Sequence, residues 1–248
     1  MTPGIDSEQR GEPTPLDETT PLDETTPLDE TTPLDETTPL DETTPLDETT
    51  LLVAVDALAG RDPDLAAIVA RHGPPPLWAR EPGFDTLISI ILEQQVSLAS
   101  GAAARRRVIE AAGAVDPEAL LAAGQEALLG AGITRQKTRY LLALAADVRD
   151  RRLDLEAIRR SPDDVARASL MRALGVGRWT ADIYLLMALG RPDVWPSGDL
   201  ALAVAMRRLK DLAAVPDDGE QLVVAEAWRP WRAAGARLLW HAYLAGER

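Results

Sequence analysis

Apolar side chains recur at the spacing of an α-helix through most of the chain, and this period constrains the fold more than any other feature. Residues at i, i+3, i+4, i+7 and i+8 form one buried stripe of a helix. In the clearest stretch these residues are Phe84, Leu87, Ile88, Ile91 and Leu92. The pattern recurs at 140–148 and 228–242, and no strand-like alternation of useful length accompanies it. The sequence therefore predicts an all-α fold of roughly nine or ten helices joined by short loops.

The N-terminal part of the chain differs in amino-acid composition from the rest. Residues 14–49 are six consecutive copies of Thr-Pro-Leu-Asp-Glu-Thr, in which the only apolar side chain is one leucine. Such a segment buries too little surface to offset its chain entropy, so we expect residues 1–50 to be a disordered, acidic tail. A proline in every copy argues against the parallel β-helix that a hexapeptide period could also suggest. Residues 51–248 are then the helical domain.

The charge and composition of the domain exclude several classes of site. All of the formal charge of −14 lies before residue 51, so the domain is formally neutral and neither demands nor excludes a DNA partner. The absence of cysteine excludes disulfides, iron–sulfur clusters and thiolate zinc sites. His72 and His241 lie far apart in sequence, which argues against a metal cage, and we expect no cofactor. No signal-peptide pattern or membrane-length apolar run is present, so we expect a cytoplasmic protein without membrane contact.

A glycine-bracketed turn is the most specific local feature. Ser161-Pro162-Asp163-Asp164 predicts a helix start with a serine cap, and a second helix is expected to begin near Arg178. Between them, Leu174-Gly175-Val176-Gly177 would leave the first amides of the second helix open to a phosphate. Taken alone, the Gly-Val-Gly run fits a plain αα-hairpin with a glycine C-cap better.

Four ordered segments together resemble the helix-hairpin-helix DNA glycosylase superfamily, and within it the 3-methyladenine DNA glycosylase II branch of alkylation repair. They are "FDTLISIILEQQVSLASGAAARRRV", "GITRQKTRYLLALA", "LGVGRWTA" with its trailing aspartate, and "WRPWRAAGARLLWHAYLAG". The resemblance runs from about residue 51 to the end of the sequence. It implies two helical lobes with a groove between them, and a monomer that acts on double-stranded DNA containing alkylated bases. Longer relatives carry an extra N-terminal α+β domain, where this chain has the repeats.

The resemblance also assigns the reactive centre. It places the catalytic carboxylate at Asp199, which would stabilise the positive charge that builds on the sugar as the base leaves. An aspartate before an apolar helix is most often only an N-cap, and the two roles are compatible. Relatives that also cleave the DNA backbone carry a lysine where this chain has Trp179, so we expect a monofunctional enzyme. Trp179 and Trp240 stand at the positions of the aromatic walls that stack on a flipped base.

The remaining site residues are expected to contact DNA. Gln94 and Gln95 match the wedge that fills the vacated base stack, with Gln95 inserting, although a solvated helix end fits them too. Some relatives have leucine at that position. The hairpin contacts to the backbone would come from Gly175, Val176, Gly177, Arg178 and Thr180. Phosphate contacts are expected from Arg135 and Lys137 and from residues 105–107, each of which could instead be a solvated face. A monovalent cation could bind the backbone carbonyls of Met171, Ala173 and Val176.

Two rival functions stay open on the sequence. A non-catalytic lesion-binding protein would use the same glycines and basic residues, but would have no reason to combine Asp199 with Trp179. A glycosylase for hypoxanthine, ethenoadenine or uracil would keep Asp199 and reshape the pocket. The other tryptophans, Trp78, Trp195, Trp228 and Trp231, are expected in the core or the groove wall. The acidic tail could be inert or could compete with DNA for the basic groove.

Overall fold

The computed structural model describes residues 45–246, which form twelve α-helices and one 3-10 helix without a strand. The helices are α1 (Glu48–Ala59), α2 (Pro63–His72), α3 (Phe84–Glu93), α4 (Leu98–Ala112), α5 (Pro117–Gly130), α6 (Arg135–Arg149), α7 (Leu155–Arg160), α8 (Asp163–Leu170), α9 (Arg178–Met187), α10 (Leu200–Leu209), α11 (Asp218–Ala225), the 3-10 helix (Glu226–Trp228) and α12 (Arg232–Leu244). The all-α prediction is confirmed. The expected number of helices is too low, because short helices such as α7 carry too few turns to show a period.

The helices form two groups, as the resemblance implied. In the first, α3 packs against α4, α6 and α9, and α5 lies against α4 and α6. In the second, α12 packs against α1, α2 and α10. Residues 188–199 lead the chain from α9 in the first group to α10 in the second. Asp199 therefore lies where the chain passes between the two lobes.

The predicted apolar stripes of α3 and α6 pack in or against the core. The stripe predicted at 228–242 is divided between two helices. Trp228 ends the 3-10 helix, and a cis peptide bond between Arg229 and Pro230 separates it from α12. The ring of Trp228 packs so closely on Gly235 that a β-carbon there would lie 2.8 Å from it. Spacing alone could not reveal the break, because the predicted apolar residues before and after it are all buried.

The helical domain begins earlier than the sequence predicts. Residues 1–44 lie outside the described part, so their disorder stays a prediction. Residues 45–50, assigned to the tail, belong to the domain: Leu46 is only 5% exposed and donates its N–H to the Gly190 carbonyl over 2.6 Å. Asp47 caps α1 through a reciprocal bond pair with Thr50.

One residue explains why the last repeat starts a helix. The amide of Leu51 donates to the Asp47 carbonyl over 2.9 Å, which is the first hydrogen bond of α1. In each of the other five copies the equivalent residue is proline, which has no N–H to donate. At residue 51 the cap of the last repeat is followed by a residue that can donate this bond.

Within residues 45–246, no helix combines the length and apolar character that crossing a bilayer requires. Nor do three or more histidine or acidic side chains in that range converge into a metal-binding group.

Candidate active site

The predicted helix pair is present, with α8 and α9 joined by a turn over residues 171–177. The predicted serine cap is wrong. Ser161 ends α7, and its hydroxyl donates to the Ala157 carbonyl over 2.8 Å. Helix α8 begins after Pro162 without a side-chain cap within the described residues. The two helices are braced by Arg167 of α8, whose guanidinium bonds the fully buried carboxylate of Asp182 in α9. Burial raises the pKa of Asp182, although the Arg167 pair opposes that shift.

The turn needs glycine at its centre and leaves the amino end of α9 open. Gly175 has a φ of +86°, and a β-carbon there would lie 2.4 Å from the Tyr140 ring. No side chain caps α9 anywhere in the described range, so its first-turn amides remain available to an anion. Val176 differs from its neighbours, because it is buried and its N–H donates to the Ala173 carbonyl over 3.1 Å.

Two predicted DNA contacts turn out to hold the protein together. The amide of Gln94 donates to the Gly175 carbonyl over 2.9 Å and to the Thr180 hydroxyl over 2.8 Å. Thr180 is only 2% exposed, so its side chain serves this internal contact, and DNA contact by the residue stays a prediction. These bonds join the end of α3 to the hairpin across more than 80 residues of sequence. Gln94 and Thr180 therefore position the turn that follows α3.

Gln95 is the exposed member of the pair. It has a φ of +56°, a left-handed conformation uncommon for a residue with a side chain, and it lies at the surface beside the hairpin. Its neighbour Gln94 is held internally, so only Gln95 is free to project. The wedge role stays a prediction, and the conformation of the turn is compatible with it.

Lys137 also makes contacts inside the protein, and its predicted phosphate contact stays a prediction. Its ammonium donates to the carbonyls of Leu92 and Gln94, over 2.7 and 3.0 Å, and so caps the carboxyl end of α3. Burial lowers the pKa of Lys137. Arg135 is exposed at the start of α6, where a phosphate could reach it.

The second basic cluster, at 105–107, is mostly used inside the protein. Arg105 pairs with Asp85 of α3, and Arg107 donates to the Ala131 carbonyl over 2.8 Å. Only Arg106 of the three is exposed without a hydrogen bond to another described residue. This cluster is thus chiefly a set of interhelical contacts.

A cavity of about 530 Å³ lies between the turn after α3 and the hairpin. It is lined by Gln94, Gln95, Gln136, Lys137, Tyr140, Met171, Arg172, Ala173, Leu174, Gly175, Val176 and Gly177. Two lining residues were not predicted as site residues from the sequence: Arg172, an exposed cation five residues before Gly177, and Tyr140, which supports Gly175. The signal for Arg172 was a basic residue three positions before Gly175. Met171, Ala173 and Val176 share this cavity, and cation binding by their carbonyls stays a prediction.

The carboxylate of Asp199 accepts hydrogen bonds from three N–H groups. Its Oδ1 accepts from the Leu202 amide over 3.0 Å, as an N-cap, and from the indole of Trp240 over 3.3 Å. Its Oδ2 accepts from the indole of Trp179 over 2.9 Å. Among residues 45–246 no cation pairs with this partly exposed carboxylate. The two predicted walls and the predicted catalytic residue thus meet in one place.

Aromatic side chains continue behind Trp240. The Trp78 and Trp240 rings meet edge to face with centroids 6.4 Å apart, and Trp78 meets His241 at the same distance. Trp78 thus packs beside Trp240, whereas Trp195 and Trp228 pack together inside the core. Leu200, directly after Asp199, is 73% exposed and was not singled out from the sequence. The carboxylate therefore lies between an indole cluster and an exposed apolar side chain.

Known proteins resemble this chain in sequence. A relative from Mycobacterium tuberculosis, the probable bifunctional transcriptional activator/DNA repair enzyme AlkA, is 31% identical over 202 residues. The match covers 75% of this chain and 38% of that protein. The putative DNA-3-methyladenine glycosylase YfjP of Bacillus subtilis is 23% identical, over 71% of this chain and 64% of its own. The chain thus spans less than two thirds of the length of these relatives.

Solved structures share the fold. The Schizosaccharomyces pombe 3-methyladenine DNA glycosylase Mag1 in complex with abasic DNA superposes with a TM-score of 0.69 and 27% identity, over 76% of this chain and 95% of that one. A DNA-3-methyladenine glycosidase from Bacillus halodurans gives a TM-score of 0.65 and 28% identity, over 78% and 91%. Residues 88–233 match the model of the HhH-GPD superfamily of base excision DNA repair proteins. With more than half of the sequence inside that match, the chain belongs to the HhH-GPD superfamily.

Proposed function

We propose that the chain is a monofunctional DNA glycosylase that removes N-alkylated purines from double-stranded DNA. The observation that carries this proposal is the carboxylate of Asp199, held by the indoles of Trp179 and Trp240 and without a paired cation in the described residues. Relatives named as 3-methyladenine glycosylases support the substrate class. The monomeric state and cytoplasmic location belong to the same proposal.

DNA would bind at the hairpin. The open amides at the start of α9 can hold a backbone phosphate without reference to base identity. Arg172 and Arg135 are exposed nearby on the hairpin and on α6, and Arg178 begins α9 with a half-exposed side chain. Gln95 projects from the adjoining turn, where it can enter the base stack as the target nucleotide leaves it.

The chemical step would use the charge of Asp199. As the bond between the sugar C1′ and the base nitrogen lengthens, its electron pair leaves with the base and positive charge builds on the sugar. A carboxylate without a nearby cation stabilises that charge most effectively. Water then attacks C1′ and releases its proton to solvent, and an abasic site remains. The three N–H donors fix the direction in which the carboxylate points.

The indoles suit a cationic base. A purine methylated at a ring nitrogen carries positive charge, and a tryptophan face attracts such a ring by about 0.5–2 kcal/mol. The same charge makes the base a good leaving group, because departure with the electron pair neutralises it. Trp179 and Trp240 would therefore both orient Asp199 and select the substrate.

The lack of a suitable amine supports the monofunctional proposal. The chain has only two lysines, Lys137 and Lys210. Lys137 is bound to carbonyls at the end of α3, and Lys210 is clamped between Asp62 and Asp64. Neither is placed to attack C1′, and the position that holds the lysine in backbone-cleaving relatives is Trp179.

The test is base release from duplex DNA methylated at purine nitrogens, followed by chromatography, with strand nicking scored on the same samples. We expect free 3-methyladenine or 7-methylguanine and strand breaks only after hot alkali. Duplexes containing hypoxanthine, ethenoadenine or uracil serve as the specificity panel. Nicking without alkali would overturn the monofunctional proposal, and release of uracil in preference to methylated purines would overturn the substrate class.

A further inference from the structure

A strained tryptophan lies beside the indole cluster at Asp199. Trp78, in the segment between α2 and α3, has a φ of +49°, a left-handed conformation that is an outlier for a bulky side chain. It is the only aromatic residue with a positive φ among residues 45–246. Such a conformation costs free energy and persists only where surrounding contacts impose it. Contacts around Trp78 must therefore hold its backbone in place.

The backbone on both sides of Trp78 is bound to α9 and α12. The carbonyl of Leu77 accepts a hydrogen bond from the guanidinium of Arg237, in α12, over 2.8 Å. The N–H of Arg80 donates to the carbonyl of Met187, the last residue of α9, over 2.8 Å. The segment is thus fixed to the two helices that carry the indole donors of the proposed site.

The guanidinium of Arg237 is a buried cation without a counter-charge in the described residues. Its side chain is 1% exposed, and its hydrogen bonds all go to carbonyls, those of Leu77, Leu186 and Ala233. Burial lowers the pKa of Arg237 to about 10, and the group stays charged at neutral pH. A buried, unpaired cation is costly, and of its three bonds only the one to Leu77 reaches outside α9 and α12. Arg237 therefore ties the segment before Trp78 to the helical core.

The ring of Trp78 lies against two consecutive residues of α12. It meets Trp240 edge to face, with an interplanar angle of 73°, and it meets His241 at the same centroid distance of 6.4 Å. This arrangement is one that aromatic pairs favour. His241 is itself fixed, because its Nε2 donates to the carbonyl of His72 over 3.1 Å. Trp78 therefore limits how far the Trp240 ring can turn.

Trp240 has the longer of the two indole bonds to Asp199. Its N–H lies 3.3 Å from Oδ1, whereas the N–H of Trp179 lies 2.9 Å from Oδ2. We propose that Trp78 is a positioning residue: its anchored backbone lets its ring keep the Trp240 indole directed at Asp199 and at the flipped base. The inference rests on the proposed function, because it assigns Trp78 a part in the same reaction.

The two indoles of the site provide a control within one molecule. Trp78→Leu removes the ring and keeps an apolar side chain, whereas Trp78→Phe keeps an aromatic edge. Trp78 is only partly buried, so we expect both variants to fold. The first readout is hydrogen exchange of the indole N–H groups of Trp240 and Trp179, measured by NMR. Both donate to Asp199, but of the two only Trp240 meets the Trp78 ring within the described residues.

We expect Trp78→Leu to speed exchange of the Trp240 indole about tenfold, because two aromatic contacts are lost, and to leave the Trp179 indole unaltered. Trp78→Phe should restore most of the protection. On methylated duplex DNA, Trp78→Leu should lower the single-turnover rate by about the same factor. The Kd for DNA should stay unchanged, because Trp240 serves the reacting centre and not the backbone contacts.

Four outcomes would overturn the positioning role. Equal acceleration at both indoles would show that Trp78 supports the fold in general. Unchanged exchange at Trp240 would show that the Trp78 ring does not hold it, and weaker DNA binding in that case would assign Trp78 to a DNA contact. Faster exchange at Trp240 with an unaltered rate of base release would separate the contact from the reaction.

The exchange measurement needs no substrate, so it is independent of the proposed activity. A wild type that released no methylated purine would overturn the proposed function. The exchange of the two indoles would still decide whether Trp78 positions Trp240.

Discussion

Two aspartates of this protein occupy nearly the same local setting and differ in one respect. Asp62 caps α2, and Asp199 caps α10. Each also accepts a hydrogen bond from an indole, Asp62 from Trp228 over 2.8 Å and Asp199 from Trp179 over 2.9 Å. Asp62 is clamped by the ammonium of Lys210 through both oxygens, whereas no described cation pairs with Asp199.

A paired cation distinguishes the structural carboxylate, Asp62, from Asp199, the one suited to catalysis. Burial would raise the pKa of Asp62, but hydrogen bonds from Lys210 and Trp228 and the Lys210 charge outweigh it, so its pKa lies below the ordinary 3.8. Its negative charge is already neutralised within the protein. The charge of Asp199 is left for a ligand, and a sugar that becomes positive is the ligand we propose.

The sharpest test of the comparison is Asp199→Asn. Asparagine caps a helix as well as aspartate does, so the fold should persist. Removal of the negative charge should lower the rate of base release by at least about 10²-fold. Single-turnover kinetics on methylated duplex DNA, with circular dichroism as the folding control, would measure this. Retained turnover in a folded variant would contradict the role of Asp199.

The matched change at the other cap, Asp62→Asn, should have the opposite result. We expect a loss of about 1–2 kcal/mol in the free energy of unfolding, because Lys210 loses one partner and keeps Asp64. Base release by the folded variant should be unaltered. Urea denaturation and the same kinetic assay would measure the two effects.

The pH dependence follows from the pKa of Asp62. A carboxyl whose pKa is lowered on folding contributes stability above its unfolded value and loses it as the pH falls through the folded value. The stability difference between wild type and Asp62→Asn should therefore be full above pH 5 and shrink below about pH 3.8. A difference that persisted at lower pH would mean that the ion pair is not its source.

The smallest effect is expected for Trp179→Phe, which keeps an aromatic ring and removes the N–H donor to Asp199. We expect the single-turnover rate to fall about tenfold, in line with a hydrogen bond to a charged group, with little change in DNA affinity. Trp195→Phe is the matched control, since the indole N–H of Trp195 has no partner within the described residues. Equal effects of the two changes on the rate would remove the orienting role of Trp179.

The features that could be predicted from the sequence are those that neighbouring residues determine. The unbroken apolar stripe of α3, the glycine at the hairpin and the cap at Asp199 depend on residues a few positions apart. The indole donors of Asp199 come from residues 20 and 41 positions away, and only the resemblance brought them together.

The contacts that the sequence did not reveal share one physical cause. Gln94, Thr180 and Lys137 were predicted to contact DNA, and their side chains also have partners inside the protein that lie more than 40 residues away. Ser161 and the last repeat carry genuine cap chemistry, and their neighbours decide which helix that chemistry serves. Periodicity and cap patterns predict where a single helix lies. The partners of these side chains depend on how different helices pack together.

The helix start at Leu51 has a consequence for how the tail can change over generations. Every repeat supplies the same leucine anchor and aspartate cap, and Thr50, which follows the last repeat, is the partner of the cap, so whichever copy stands before Thr50 completes α1. Gain or loss of whole hexapeptides upstream leaves that junction chemically identical. The length of the repeat array can therefore drift by multiples of six residues while the folded domain keeps its amino-terminal helix.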